Sequence, residues 1–362
     1  MKSSVSRPGL ALCLALTLPG VAGAEMALYG QALVALEAVD TRNYPGPDPD
    51  VPLAVNGNRS WLGFRGEEAL REDLGLVWRG EVYLDLDGGG WGEGRELWLA
   101  LRHRLGTVSL GRQSSPYRWA GETLDVFADT RGDYHAVVGS IDGEAVFGNR
   151  WQRQVRYQTP VLKRFQLSLG ATPDYGAADG EDHWGYSAAL VFDSGPLYLG
   201  VAYAQLKDFV SKLAPYTGTP DGSAVARKLA LGWDFGQGTK LGFVFEDAVN
   251  GARRNGKEVG RRAYYLGFSR VMGNTTLRLA GAYLDDLAGV DDSAATFAAV
   301  GFSYAFSPRV DLFAQAAWVG NGQGSAYGLM ADSDDPAPLR PASGEDMGVL
   351  SLGLRYSFDR PI

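Results

Sequence analysis

From Leu350 to Phe358 the chain alternates strictly: Leu350, Leu352, Leu354, Tyr356 and Phe358 are large and apolar, and Ser351, Gly353, Arg355 and Ser357 separate them. A period of two is the pattern of a strand with one face in an apolar medium and the other in water. It recurs along the chain. In LRLAGAY (277–283), Leu277, Leu279 and Tyr283 stand opposite Arg278, Ala280 and Ala282, and in RAYYLGF (262–268) the apolar face is Tyr264, Leu266 and Phe268. Leu62 and Phe64 oppose Arg59, Trp61 and Arg65; Trp78, Val82, Leu84 and Leu86 oppose Arg79, Glu81, Tyr83 and Asp85. About 16 segments of roughly 8 to 12 residues alternate or have strand-like composition. In ELWLALRH (96–103) apolar residues occupy both faces, and alternation assigns neither.

The connections alternate too. Short ones such as DSGP (193–196), FGQG (235–238) and FSPR (306–309) intervene between long polar ones at 40–58, 207–223 and 321–346. Short turns on one rim and long loops on the other are the pattern of a transmembrane barrel. In hydrocarbon every backbone N–H and C=O must pair, so a sheet spans only if it closes on itself. The fold class expected is therefore all-β, a transmembrane antiparallel β-barrel of about 16 strands. A secreted soluble β-sandwich or solenoid explains the alternation equally well but leaves the loop lengths unexplained. Sixteen strands enclose too wide a space for side chains to fill, so a water channel is expected.

The amino end reads as a cleavable export signal over residues 1–24: Lys2 and Arg7, an apolar run from Leu10 to Leu18, Pro19, then small residues at Ala22 and Ala24. The single cysteine, Cys13, falls inside it. Residues 25–362 then form one barrel domain. Without Lys2 and Arg7, 42 acidic side chains face 32 basic ones, which makes nucleic acid an unlikely class of partner. No later segment reaches the roughly 18 uninterrupted apolar residues of a transmembrane helix.

Taken in order, ALYGQALVALEAV (27–39), SWLGFRGEEALREDLGL (60–76), LGTVSLGRQSSPY (105–117), NRWQRQVRYQTP (149–160), VGFSYAFSPRVDLFAQ (300–315) and LSLGLRYSF (350–358) resemble the general porins of Gram-negative bacteria, of the neisserial and β-proteobacterial type. That resemblance implies a homotrimer of 16-stranded barrels in outer-membrane lipid, inserted by the barrel-assembly machinery, with the long third loop folded into each lumen as a constriction. It implies passive diffusion of ions and small hydrophilic solutes, with no cofactor. In such porins the last strand ends in an aromatic assembly signal. Phe358 matches it, although Asp359, Arg360, Pro361 and Ile362 follow.

The constriction loop is expected at 114–147, the longest connection, which holds Asp125, Asp129 and Asp133 among its acidic residues. The resemblance places arginines on the wall opposite. Arg95 and Arg150 match, and alternation puts Arg150 on one face with Gln152, Gln154 and Arg156. At the third position Trp61 follows Ser60 where the family has arginine, and Arg59 lies two residues back on the same face. Cations facing carboxylates across a narrow lumen create a transverse field that passes small hydrated solutes. His103, His135 and His183 lie in separate segments, and no nucleophile-elbow or zinc-protease motif is present, so no enzymatic activity is expected. The other reading of such a barrel is an adhesin or a substrate-specific binding channel.

Overall fold

The computed structural model describes residues 25–40, 53–57, 60–175, 183–209, 222–254, 257–329 and 340–361; the export signal, Arg59 and Ile362 lie outside them. Sixteen antiparallel strands form a closed barrel. They are β1 (Glu25–Asp40), β2 (Ser60–Arg71), β3 (Leu74–Asp85), β4 (Gly90–His103), β5 (Gly106–Ser114), β6 (Arg150–Gln158), β7 (Phe165–Thr172) and β8 (Gly185–Asp193). The second half is β9 (Leu197–Leu206), β10 (Ala224–Gly236), β11 (Thr239–Arg254), β12 (Lys257–Met272), β13 (Thr275–Leu284), β14 (Ala295–Ser307), β15 (Val310–Asn321) and β16 (Met347–Pro361). Each strand pairs with its sequence neighbour. The barrel closes where β1 pairs β16, from Ala27 opposite Pro361 to Asp40 opposite Gly348. Near its other end β1 also pairs the short strand Leu53–Asn56. No described helix is long and apolar enough to cross a membrane.

The expected faces hold where alternation is clean. Leu350, Leu352, Leu354 and Tyr356 are exposed on the outer surface, and Ser351 and Gly353 are buried toward the lumen. Exposed Leu97, Leu99 and Leu101 settle the outer face of ELWLALRH. Turned to lipid, this surface loses no aqueous contact that it needs. Aromatic pairs mark the short-turn rim: Phe165 with Phe192, Trp233 with Phe235, Tyr304 with Phe306 and Tyr356 with Phe358, at ring separations of 4.9, 6.3, 5.2 and 5.8 Å. Amphipathic rings favour the headgroup level.

Phe358 is not the end of the last strand. β16 runs on to Pro361, with Asp359 opposite Tyr29, so Phe358 sits within a paired strand.

Inside, small wall residues make room for the apolar side chains of the 114–147 loop. Ala189, Ala202, Ala204 and Ala226 meet Tyr117, Phe147 and Trp151; Ala230, Ala263 and Ala299 meet Leu124, Phe127 and Val138. A Cβ at Gly200 would lie 2.7 Å from the Ala120 carbonyl oxygen, so only glycine admits the loop backbone there.

Candidate functional site

The loop leaves β5 through Ser115, whose hydroxyl accepts the Arg118 N–H at 3.1 Å and caps a short helix, Pro116–Glu122. Proline at the first helical position fits this start, because its missing N–H would have had no partner there. The chain then crosses the lumen, forms a 3-10 turn at Tyr134–Ala136 and a small hairpin at 140–145, and rejoins the wall at Arg150.

On one side the loop tip meets β1 to β6. Asp129 adopts a left-handed backbone, φ 59°, which a short polar side chain tolerates. Its carboxylate accepts from Gln31 Nε2 at 3.2 Å and lies 3.9 Å from Arg95 Nη2. Arg95 also pairs with Glu81 and stands 4.9 Å from the Trp61 ring centroid, while Trp61 packs edge-to-face on Tyr29 at 5.3 Å. The tryptophan in the arginine position therefore serves Arg95 as a π surface. Arg150 lies 3.7 Å from Glu96 and donates to Tyr83 Oη at 3.3 Å. Arg131 of the loop donates to Glu37 of β1 at 3.0 Å.

Two β-bulges decide which side chains reach this place. Glu81 pairs Glu96 and Val82 pairs Gly94, so Arg95 is the extra residue, and Arg95 and Glu96 both face the lumen. A second bulge in β6 centres on Arg153, φ 48°. Gln152 and Arg153 are consequently exposed whereas Trp151, Gln154 and Arg156 are buried. This corrects the expected face: Gln152 does not share it with Gln154 and Arg156, and Arg150 reaches Glu96 from beyond the bulge.

Of the three loop aspartates, only Asp129 meets the wall arginines. Asp125 is half-buried and accepts the Phe127 N–H at 2.9 Å; burial, then the neighbouring Asp133 carboxylate, holds its carboxyl well above the usual carboxylate range. Asp133, 3% exposed, caps the 3-10 turn and bonds His135 Nδ1 at 2.8 Å. Asp125, Asp133 and His135 offer atoms within 4.8 Å of one another, and the Asp133–His135 hydrogen bond joins two of the three.

Sequence reasoning did not select Glu81 or Glu96 as site residues, although alternation had already placed Glu81 beside Arg79 and Tyr83. Arg79 lies 3.3 Å from Glu96 and 3.9 Å from Glu81. The wall is therefore mixed in charge, with Arg79, Arg95 and Arg150 interleaved by two carboxylates.

Opposite, the loop is fastened to the far wall. Glu246 of β11 accepts the Gly139 N–H at 2.9 Å and the Tyr117 hydroxyl at 2.5 Å. Its partner Arg261 of β12 lies at 2.8 Å, both side chains being 0% exposed, and donates to the Val137 carbonyl at 2.7 Å. Lys228 of β10 donates to the Tyr117 carbonyl at 3.2 Å.

Comparison with known proteins agrees with this architecture. The chain is 27% identical over 321 residues to outer membrane porin protein 32 of Delftia acidovorans, covering 84% of this chain and 87% of that one. It is also 27% identical over 351 residues to major outer membrane protein P.IB of Neisseria gonorrhoeae, covering 87% and 94%. Among solved structures, the anion-selective porin from Comamonas acidovorans superposes with a TM-score of 0.73 at 22% identity, over 93% of this chain and all of that one. OmpT of Vibrio cholerae gives 0.68 at 15% identity, over 92% and 97%. A family model described as Gram-negative porin matches residues 10–324, and with most of its length so matched the chain belongs to the Gram-negative porin family, an outer-membrane β-barrel forming a channel for passive diffusion.

Proposed function

We propose that the chain assembles as a homotrimer of separate pores, each admitting ions and small hydrophilic solutes with weak ion selectivity, set where Asp129 of the loop faces Arg95 and Arg150 of the wall. The observation that carries this reading is the 3.9 Å approach of Asp129 to Arg95 across the lumen, with both side chains partly open to water. Field selection at that point needs no bond to form or break, which supports a channel without catalysis. Weak selectivity follows from the glutamates: three guanidinium groups against Glu81, Glu96 and Asp129 nearly balance, and charges on outer loops are screened beyond about 8 Å at physiological salt. Phe358 is the recognition element for the barrel-assembly machinery, on the strength of its outward position beside Tyr356 at the rim.

Purified folded protein in a planar bilayer is the test. The expected result is stable ohmic steps in groups of three, with a reversal potential near zero under a potassium chloride gradient. Verified folded trimer without conductance would remove the channel reading. Single steps only, with one oligomer per gel band at monomer mass, would remove the trimer.

A further inference from the structure

The loop leaves a gap against β13 to β16, a sector of the wall apart from Arg79, Arg95 and Arg150. Here Phe127 of the loop faces Arg278, Asp311, Phe313 and Arg355 across a cavity of about 110 Å³. Gly301 makes room for Phe127: a Cβ there would lie 2.9 Å from the Phe127 ring and 3.1 Å from Gln315 Cβ. Arg278 donates to Ser303 Oγ at 2.9 Å, and the Arg355 guanidinium stands 5.8 Å from the Phe313 ring centroid. Among the described residues neither arginine is in an ion pair, and the buried Nε of Arg355 has no acceptor. Gln315, 8% exposed, lines the same cavity, and its side-chain amide makes no hydrogen bond among the described residues.

We propose that this cavity is a subsite for a small oxyanion, with the size and chemistry of inorganic phosphate or a short carboxylate, held by Arg278 and Arg355 with the Gln315 amide as a further donor. Two guanidinium groups converging on one cavity repel each other, Asp311 being the one wall carboxylate that lines it, and an oxyanion between them reverses that interaction. Guanidinium matches such an anion with paired N–H donors. Phe127 and Phe313 exclude water from one side, which strengthens the remaining electrostatics. Asp311 is the carboxylate that opposes binding; Asp125, at the loop edge, opposes it weakly because its backbone and Asp133 contacts occupy it. In a diffusion pathway such a site holds an anion briefly between the constriction and the short-turn mouth.

The subsite rests on an open lumen but not on the selectivity assigned to Arg95 and Arg150. The test is phosphorus-31 NMR of inorganic phosphate added to folded, heat-modifiable protein in detergent. Wild type is expected to broaden the resonance saturably, with chloride competing weakly. Arg278→Gln with Arg355→Gln is expected to weaken binding at least tenfold, while Lys240→Gln at the exposed short-turn rim leaves it within twofold. If the double variant does not fold, Arg355→Lys decides: retained charge without the paired donors is expected to weaken binding severalfold, and unchanged affinity overturns the proposal. No broadening by wild type, or equal broadening by the double glutamine variant, also overturns it. Chloride conductance of the same preparation is read separately, so phosphate binding without conductance refutes the channel and leaves the subsite standing.

Discussion

The two ends of the constriction loop use the same chemistry to opposite effect. At the far wall the Arg261–Glu246 pair is wholly removed from water, 0% exposed on both sides. At the near wall Arg95 and Asp129 retain 16% and 20% of their side-chain exposure. In the first, the pair holds fixed groups of the loop: the Gly139 N–H, the Tyr117 hydroxyl and the Val137 and Ser140 carbonyls. In the second, both groups remain partly open to water. Burial turns an arginine–carboxylate pair into an anchor, and partial exposure leaves it as a source of field. The loop is thus fastened at the far wall, and the proposed selectivity falls on the side left open to water.

If that distinction is right, the largest effect comes from the anchor. Glu246→Gln leaves Arg261 buried without its counter-charge, and breaking such a pair by removing one partner costs about 3 to 5 kcal/mol. The expected outcomes are a matching loss in urea stability of the folded barrel in lipid vesicles and noisy, enlarged single-channel steps as the loop loses its fixed position. Wild-type stability with quiet, unchanged steps would break the comparison, since the buried pair would then be no anchor.

The field side should respond in current rather than in stability. A unit charge about 5 Å from a permeating ion in water is worth about 0.8 kcal/mol, a few-fold in permeability ratio. Arg95→Gln is expected to move the reversal potential toward cations by that order, and Asp129→Asn to move it toward anions by less, because Gln31 and Arg95 already share its charge. Zero-current potentials under a tenfold potassium chloride gradient check both. If neither moves, these residues do not lie at the narrowest section.

Strand count and barrel class were legible because they depend on period, length and turn chemistry, all local to the chain, whereas the folding of the loop into the lumen came from the family resemblance. The bulges were not legible. The bulge at Arg153 adds one residue with no glycine or proline beside it in its strand, and at Arg95 the preceding Gly94 is one of five glycines between 88 and 94, so it singles out no position; every assignment read through either bulge by alternation changes face. The loop's roles were hidden for another reason. Asp125 and Asp133 have the same side chain as Asp129, yet they cap the loop's own backbone, and only the fold of the loop separates holders from facing charges. Lys228, Glu246 and Arg261 stand far along the chain from the loop they fasten, so no local pattern links them. The helix at Pro116–Glu122 was readable in principle, since Ser115 before Pro116 is a strong starting signal.

The smallest effect expected lies at the barrel seam, where the comparison reaches its exposed limit. Arg65 and Asp359 approach to 2.5 Å, but their side chains are 44% and 53% exposed. Water screens such a pair and salt weakens it further, so its contribution is at most about 1 kcal/mol. Asp359→Asn should therefore change the stability of the folded barrel by less than about 1 kcal/mol, with the difference vanishing in high salt. Deleting 359–362 removes the same pair together with the last rungs between β1 and β16, from Tyr29 opposite Asp359 to Ala27 opposite Pro361. The deletion should fold more slowly than Asp359→Asn but still insert, because Phe358 and its stacking partner Tyr356 remain at the rim; Phe358→Ala should lower the folded fraction more than either. Folding yield into lipid vesicles, read by heat-modifiable mobility, ranks the three. A deletion worse than Phe358→Ala would move the terminal assembly role from the aromatic residue to the paired segment beyond it.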